Sequence, residues 1–193
     1  MICIAGLKNA VTTAPSVEPV TLADAKIHLR TVTGDTSEDS AVISPIITAA
    51  RVYCENITGR ALAAQTVKAY PEAWGLWRLP RPPITAVTSI KYYDVDDTEY
   101  TLAATEYQSD MIDGRILIKE NPDEELRDMN PIVVEYTAGY TTGNTCPQTI
   151  RQAMLLLIAH WYQNREAVIT GSVSAEVDIG VRRLLNQYKA WWM

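Results

Sequence analysis

The stretch LLLIAHWYQNREAV, residues 155–168, sets His160, Trp161, Tyr162, Asn164, Arg165 and Glu166 at the end of an apolar run. On one helix this would gather an imidazole, a phenol, a guanidinium and a carboxylate, the groups of an acid–base or metal site. The spacing argues against both. A zinc-binding helix needs two histidines four residues apart, so that both reach one ion, and only one histidine is present in this stretch. Glu166 lies six positions beyond His160, about 120° away around a helix, so the two do not share a face. Asn164, at i+4, does share it. No serine or cysteine nucleophile stands nearby in a triad-like context. These residues read as the hydrogen-bonded polar end of a structural helix.

The remaining candidates fail in the same way. Cys54 falls on an apolar helical stripe and reads as a small core residue. Cys146 precedes Pro147 at a helix start, where a thiolate would be favoured, yet the only histidines available as a base are His28 and His160. DVDDTE, residues 94–99, crowds four carboxylates together. It lacks the sixth-position Gly and twelfth-position Glu of a calcium loop, and it reads as a solvated turn, as does PDEEL at 122–126. No GxGxxG or GxxxxGK[ST] cradles a phosphate. The sequence therefore predicts no catalytic, cofactor-binding or metal-ligating residue and no cofactor.

The elements that would carry these residues follow from periodicity. Thr21 is the N-cap of a short helix in PVTLADAKIHL, with Asp24 three residues on as a capping box. A second helix is expected over roughly 39–58, with Val42, Ile43, Ile46, Ile47, Ala50, Tyr53, Cys54 and Ile57 as its stripe. Pro45 either kinks it or marks its start, and Gly59 stops it. From about residue 64 to 138 the pattern turns to short β-rich runs: QTVKAY, WRL, AVTSIKYYD, EYTL, EYQSDMI, RILIK and PIVVEYTAG. Asp113-Gly114 reads as a two-residue type I′ turn with positive φ at both positions. LPRPPI cannot be an inner strand, because its prolines donate no hydrogen bond. Helix returns at CPQTIRQAMLLLIAHWYQNREAV, apolar nearly all round and so expected to be enclosed by protein. ITGSVSAEVDIG reads as a loop. A last helix carries Val181, Leu184, Leu185, Tyr188 and Trp192 on one face. The expected fold class is α+β, a helical body of about four helices (21–63 and 145–193) with an inserted antiparallel β lobe (64–144), after an irregular N-terminal arm (1–20).

Composition bounds the function. The chain has 193 residues, 47% apolar and 21% charged, with no Phe but ten Tyr and five Trp. A chain of this length buries roughly 70% of the surface its unfolded form exposes, so it folds without metal or disulfides. Three cysteines with no CxxC indicate neither a disulfide framework nor a zinc knuckle and suit a reducing cytosol. The run AMLLLIA is far short of the ~20 residues that span a bilayer, and MICIAGLKNAV makes a poor signal peptide. The net charge is −6. Dense basic spots are confined to Arg78 with Arg81 and Arg182 with Arg183, so tight nucleic-acid wrapping is not expected. The terminus QYKAWWM is unusual. Termini are ordinarily polar and frayed, so large apolar groups there dock on the protein's own core or on a partner.

Five segments, PVTLADAKIHLR, ITAARVYCENITGRAL, RLPRPPITAVTSIKYYD, VEYTAGY and IRQAMLLLIAHWYQNREAV, resemble in order and wording the long-form head–tail connector (adaptor) proteins of tailed phages and prophages. The resemblance covers roughly residues 18–168, with GRAL, LPRPP and HWYxNRE as its most specific pieces. It implies a virion neck protein made in the bacterial host's cytoplasm. Twelve copies would form a ring beneath the portal, passing DNA without specific binding and receiving the stopper or tail terminator below. It implies no catalysis and no membrane. Arg182, Arg183, Tyr188, Trp191, Trp192 and Met193 are then the expected interface. A stopper or tail terminator is the nearest alternative, and a small cytosolic enzyme the remote one.

Overall fold

The computed structural model describes residues 3–4, 7–31, 37–141, 145–164 and 173–191. The chain forms two compact units: one of Val17–Thr58 with Thr141–Lys189, the other of Met1–Ser16, Gly59–Tyr140 and Ala190–Met193. The first is helical and the second is built of sheet that is antiparallel but for one short parallel pair, Cys3–Ile4 with Leu76–Trp77, the α+β class read from the sequence.

In the helical unit, α1 (Leu22–Leu29) starts where expected. Thr21 Oγ1 accepts the Asp24 N–H at 3.1 Å and Asp24 Oδ2 accepts the Thr21 N–H at 3.3 Å, a reciprocal box that satisfies two donors the first turn leaves unpaired. α2 (Ser37–Thr58) buries Ile43, Ile47, Ala50 and Cys54. Pro45 lies inside α2 on its exposed side rather than at its start. The end of α2 is held by Thr58 Oγ1 donating to the Cys54 carbonyl at 2.7 Å and by Gly59 at φ 66°, a left-handed stop. α3 (Gln148–Gln163) packs on α2 and on α4 (Val173–Asn186). It buries Ile150, Ala153, Met154, Leu157 and Ile158, but Leu156 is 37% exposed. The expectation of a fully enclosed helix therefore fails on one side. α4 begins at Val173, within the stretch read as a loop.

The sheet unit holds nine strands among the described residues: β1 (Cys3–Ile4), β2 (Lys8–Thr13), β3 (Gln65–Tyr70), β4 (Leu76–Arg78), β5 (Ile84–Tyr93), β6 (Glu99–Thr101), β7 (Tyr107–Asp110), β8 (Arg115–Ile118) and β9 (Ile132–Ala138). They order as β1-β4-β8-β7 and β2-β3-β9-β5-β6. The inner faces alternate as period 2 requires. Trp77, Ile116 and Ile118 from one sheet join Val67, Ala69, Ile90, Ile132, Val134 and Tyr136 from the other in one core. Tyr136 donates its hydroxyl to the Pro80 carbonyl at 2.8 Å, which keeps a buried phenol satisfied. LPRPPI is a crossover between the sheets, with a cis Pro82–Pro83 bond.

Two local expectations are corrected. Residues 8–13 are not irregular but form the edge strand β2, antiparallel to β3. All six of its residues are exposed, so it carries no apolar alternation to betray it. The β7–β8 hairpin pairs Asp110 with Arg115, leaving a four-residue loop in which only Gly114 has positive φ, 65°. Asp110 Oδ1 accepts the N–H groups of Ile112 at 3.0 Å and Asp113 at 3.3 Å. That side-chain cap nucleates an ordinary turn, so the left-handed residue is needed only at its exit.

Candidate functional site

The polar end of α3 is a cap. Asn164 closes back on His160, its backbone N–H donating to the His160 carbonyl at 3.0 Å and its side-chain amide donating to the same oxygen at 2.9 Å. The amide also lies 3.3 Å from His160 Nδ1. Both histidine-end groups are therefore spent on helix termination. Trp161 turns the other way and meets Tyr53 of α2 edge-to-face, ring centroids 5.9 Å apart. Arg165 and Glu166 lie outside the described residues.

Two of the three cysteines are described as buried thiols. Cys54 and Cys146 are both free and buried, and burial pushes each up to about 12. At Cys146 desolvation outweighs the expected benefit of a helix start, so neither is a nucleophile at neutral pH. The DVDDTE turn satisfies itself. Asp94 Oδ1 accepts the N–H groups of Asp96 and Thr98 at 2.9 Å each, and the Thr98 bond is the chief cause holding its carboxyl below the ordinary range. Among the described residues no group of three or more His, Cys, Asp or Glu is placed to hold a metal ion, and no helix is long and apolar enough to cross a membrane.

A cleft between α1 and α3 is lined by Asp24, Ile27, His28, Gln148, Arg151, Gln152 and Leu155. Its one guanidinium is already committed, since Arg151 donates to the Pro19 carbonyl and to Asp24 Oδ2, both at 2.9 Å. A second ionic node went unread in the sequence. Arg51 is 6% exposed and donates to Glu18 at 2.8 Å and to Glu55 at 2.9 Å. The i,i+4 spacing of Arg51 and Glu55 was a visible signal, but their burial was not.

The interface residues named from the sequence lie at the end of α4. Arg182 and Arg183 are exposed, Tyr188 is half-buried, and Trp191 is 71% exposed. Trp192 and Met193 lie outside the described residues. The expected helical continuation from Tyr188 does not occur. α4 ends at Asn186, and the Tyr188 N–H donates to the Leu185 carbonyl at 2.9 Å in a closing turn. Ala190 is buried just before the outward Trp191.

Two surfaces stand out by charge. Residues 91–130 of the sheet unit hold 12 of the chain's 23 acidic side chains and only 4 of its 17 basic ones. By contrast, an open groove in the helical unit is lined only by Pro45, Thr48, Ala49, Val52, Tyr53, Asn56 and Trp161. The molecule thus offers surfaces for association and, among its described residues, no assembled reaction centre.

A search of curated proteins returns no match. Solved structures do match over nearly the whole length. One is from the neck of an empty GTA particle computed with C6 symmetry, with TM-score 0.74, 24% identity and 95% of each chain covered. A second is from the neck of a native GTA particle computed with C12 symmetry, with TM-score 0.73, 22% identity and 95% of each chain covered. A third is from the virion of a native gene transfer agent particle, with TM-score 0.71, 24% identity and 94% of each chain covered. At these identities the likeness establishes the fold. The family model described as "Head completion protein" matches residues 23–177, most of both helical segments and all of the sheet between them, and the chain therefore belongs to the head completion protein family.

Proposed function

We propose that this chain is a non-enzymatic structural protein of the neck of a phage-like particle, an adaptor that assembles as a ring of twelve beneath the portal. DNA passes through the ring, and a stopper or tail terminator attaches to its far side. The observation that carries this reading is the fold, shared over 95% of both chains with a protein resolved in a particle neck under C12 symmetry, in a chain of the head completion family. The reading is supported by the described residues His160, Asn164, Trp161, Cys54, Cys146 and Asp94, which take part in capping, packing or turns. In this reading the helices within 21–63 and 145–193 form the ring body, and the sheet unit, which takes in β2 from the N-terminal segment, is a second lobe. Arg182, Arg183, Tyr188 and Trp191, with Trp192 and Met193, form the contact to the portal or an adjacent copy. The charge of −6 suits a conduit, since lysine and arginine contacts release counterions and hold DNA in place.

The test is a reconstruction of the neck from particles carrying this chain, paired with deletion of its gene. The expected result is a twelve-fold ring seated directly on the portal, and heads without tails in the deletion strain. Density one layer below the portal would replace the adaptor reading with a stopper. Intact tailed particles made without the gene would overturn the neck role.

A further inference from the structure

β2 is a strand with one side unused. It lies at the outer edge of its five-stranded sheet and, among the described residues, pairs with β3 alone. Every second residue of an edge strand turns its N–H and C=O away from its one partner. All six residues of β2 are exposed. Its strand-forming Val11, Thr12 and Thr13 therefore serve no core. Proteins commonly keep free edges very short or interrupt them with proline. The other described edges follow that rule, with two residues in β1, three in β6 and four in β7. β2 has six and no proline, and its bulge, between Val11 and Thr13, leaves Lys8–Val11 in regular register.

The chemistry of the edge fixes the kind of group that covers it. A row of main-chain donors and acceptors is satisfied by another extended segment, which adds a strand to the sheet. The charges beside β2 favour a segment poor in lysine and arginine. Lys8 beside Glu72, Lys68 beside Glu135 and Arg81 on Asn9 set three cations against two carboxylates there, and like charges across a contact are disfavoured. A neighbouring copy does not supply the segment from the far edge of the same sheet. β2 and β6 are four strand-to-strand steps apart, and at roughly 20–25° of twist per step their directions differ by about 80–100°. One twelfth of a turn redirects a strand by at most about 30°. Even with one more step of twist between the paired strands, that is too little to lay β6 of one copy alongside β2 of the next. Nor does β2 meet itself, because a contact repeated around a ring joins two different patches. We propose that β2 takes an added strand from a different virion protein, an extended segment that is neutral or acidic. This inference rests on the neck reading above.

The test places a photo-crosslinking benzoylphenylalanine at position 11 in assembled particles and maps the joined peptides by mass spectrometry. The expected product joins position 11 to one peptide of another virion protein, without an excess of lysine and arginine. Crosslinks to this same chain, including the free edge at 107–110 of a neighbouring copy, would overturn the assignment and leave the neck reading intact. So would a peptide rich in lysine and arginine, or no crosslink in particles that contain the chain. Absence of the natural chain from particle necks would overturn both. A proline scan of Asn9, Ala10 and Val11 then separates strand addition from side-chain contact, because proline removes one main-chain N–H. Where the N–H faces β3, the thermal midpoint of the isolated chain should fall. Where it faces outward, the midpoint should stay within about 2–3 °C. The outward variant should nonetheless enter particles about tenfold less, the effect of one buried hydrogen-bonding group left unmet. Normal incorporation of that variant would also overturn the assignment.

Discussion

Asp24 shows how much one carboxylate does here. It accepts from Thr21 at the start of α1 and from Arg151 of α3, joining a helix cap to a tertiary ion pair. Hydrogen bonding to Thr21, with Arg151 adding to it, holds its carboxyl below the ordinary 3.8. A carboxyl so lowered binds fewer protons in the folded chain than in the unfolded one. Its contribution is complete above pH about 4 and drains away as pH falls through its folded value. The side chain is 40% exposed, so solvent screening keeps the effect to about 0.5–1 kcal/mol. Urea titrations should therefore find Asp24→Asn less stable than the natural chain at pH 7, with the gap closing as pH falls below the ordinary carboxylate range. A gap that persists unchanged in acid would show that the carboxylate's charge is not what stabilises the cap.

Rotation about a helix axis decides what each residue of α3 is worth. Leu157 is 4% exposed and Leu156 is 37% exposed. Leu157→Ala should cost about 2–5 kcal/mol, the range for emptying a packed site, whereas Leu156→Ala should stay within about 1 kcal/mol. Equal losses in denaturant melts would mean that α3 is rotated from the orientation described. The β7–β8 hairpin makes the second element-scale case. Gly114 has φ 65°, and a Cβ there would sit 3.1 Å from Ile84 Cγ1. Gly114→Val combines a β-branched side chain in left-handed backbone with a tight contact, and should destabilise the chain by about 1–3 kcal/mol. A melt indistinguishable from that of the natural chain would contradict this geometry.

For the whole molecule, charge and exposed aromatic surface are the levers. With net charge −6, the isolated chain should show no measurable duplex binding at physiological salt, and a micromolar Kd by fluorescence anisotropy would refute that. Trp191, 71% exposed, contributes little to the fold of one copy. Buried in a contact, a tryptophan often costs ~2 kcal/mol or more when truncated. Trp191→Ala should then leave the thermal midpoint of the isolated chain nearly unchanged while depleting it from assembled particles. A large fall in the midpoint would show that the residue supports the fold instead, and full incorporation would remove it from the interface.

The sequence by itself determined what depends on neighbours a turn or a strand away. The Thr21–Asp24 box, the Gly59 stop, the alternation in QTVKAY and PIVVEYTAG and the helix–sheet–helix order were all legible, because capping, φ and period 2 or 3.6 are set locally. Tertiary structure alone decided what depends on a distant partner. β2 carries no apolar signal and exists because β3, more than fifty residues later, offers it hydrogen bonds. Cys146 is an unreactive thiol because of the burial around it, which its place before a helix did not reveal. Leu156 and Leu157 are adjacent and chemically identical, and α3's packing on α2 and α4 buries one and exposes the other. The uncharged side of α2 was written in its residues, but it became a surface only when Arg51 and Glu55 were folded inward as a pair.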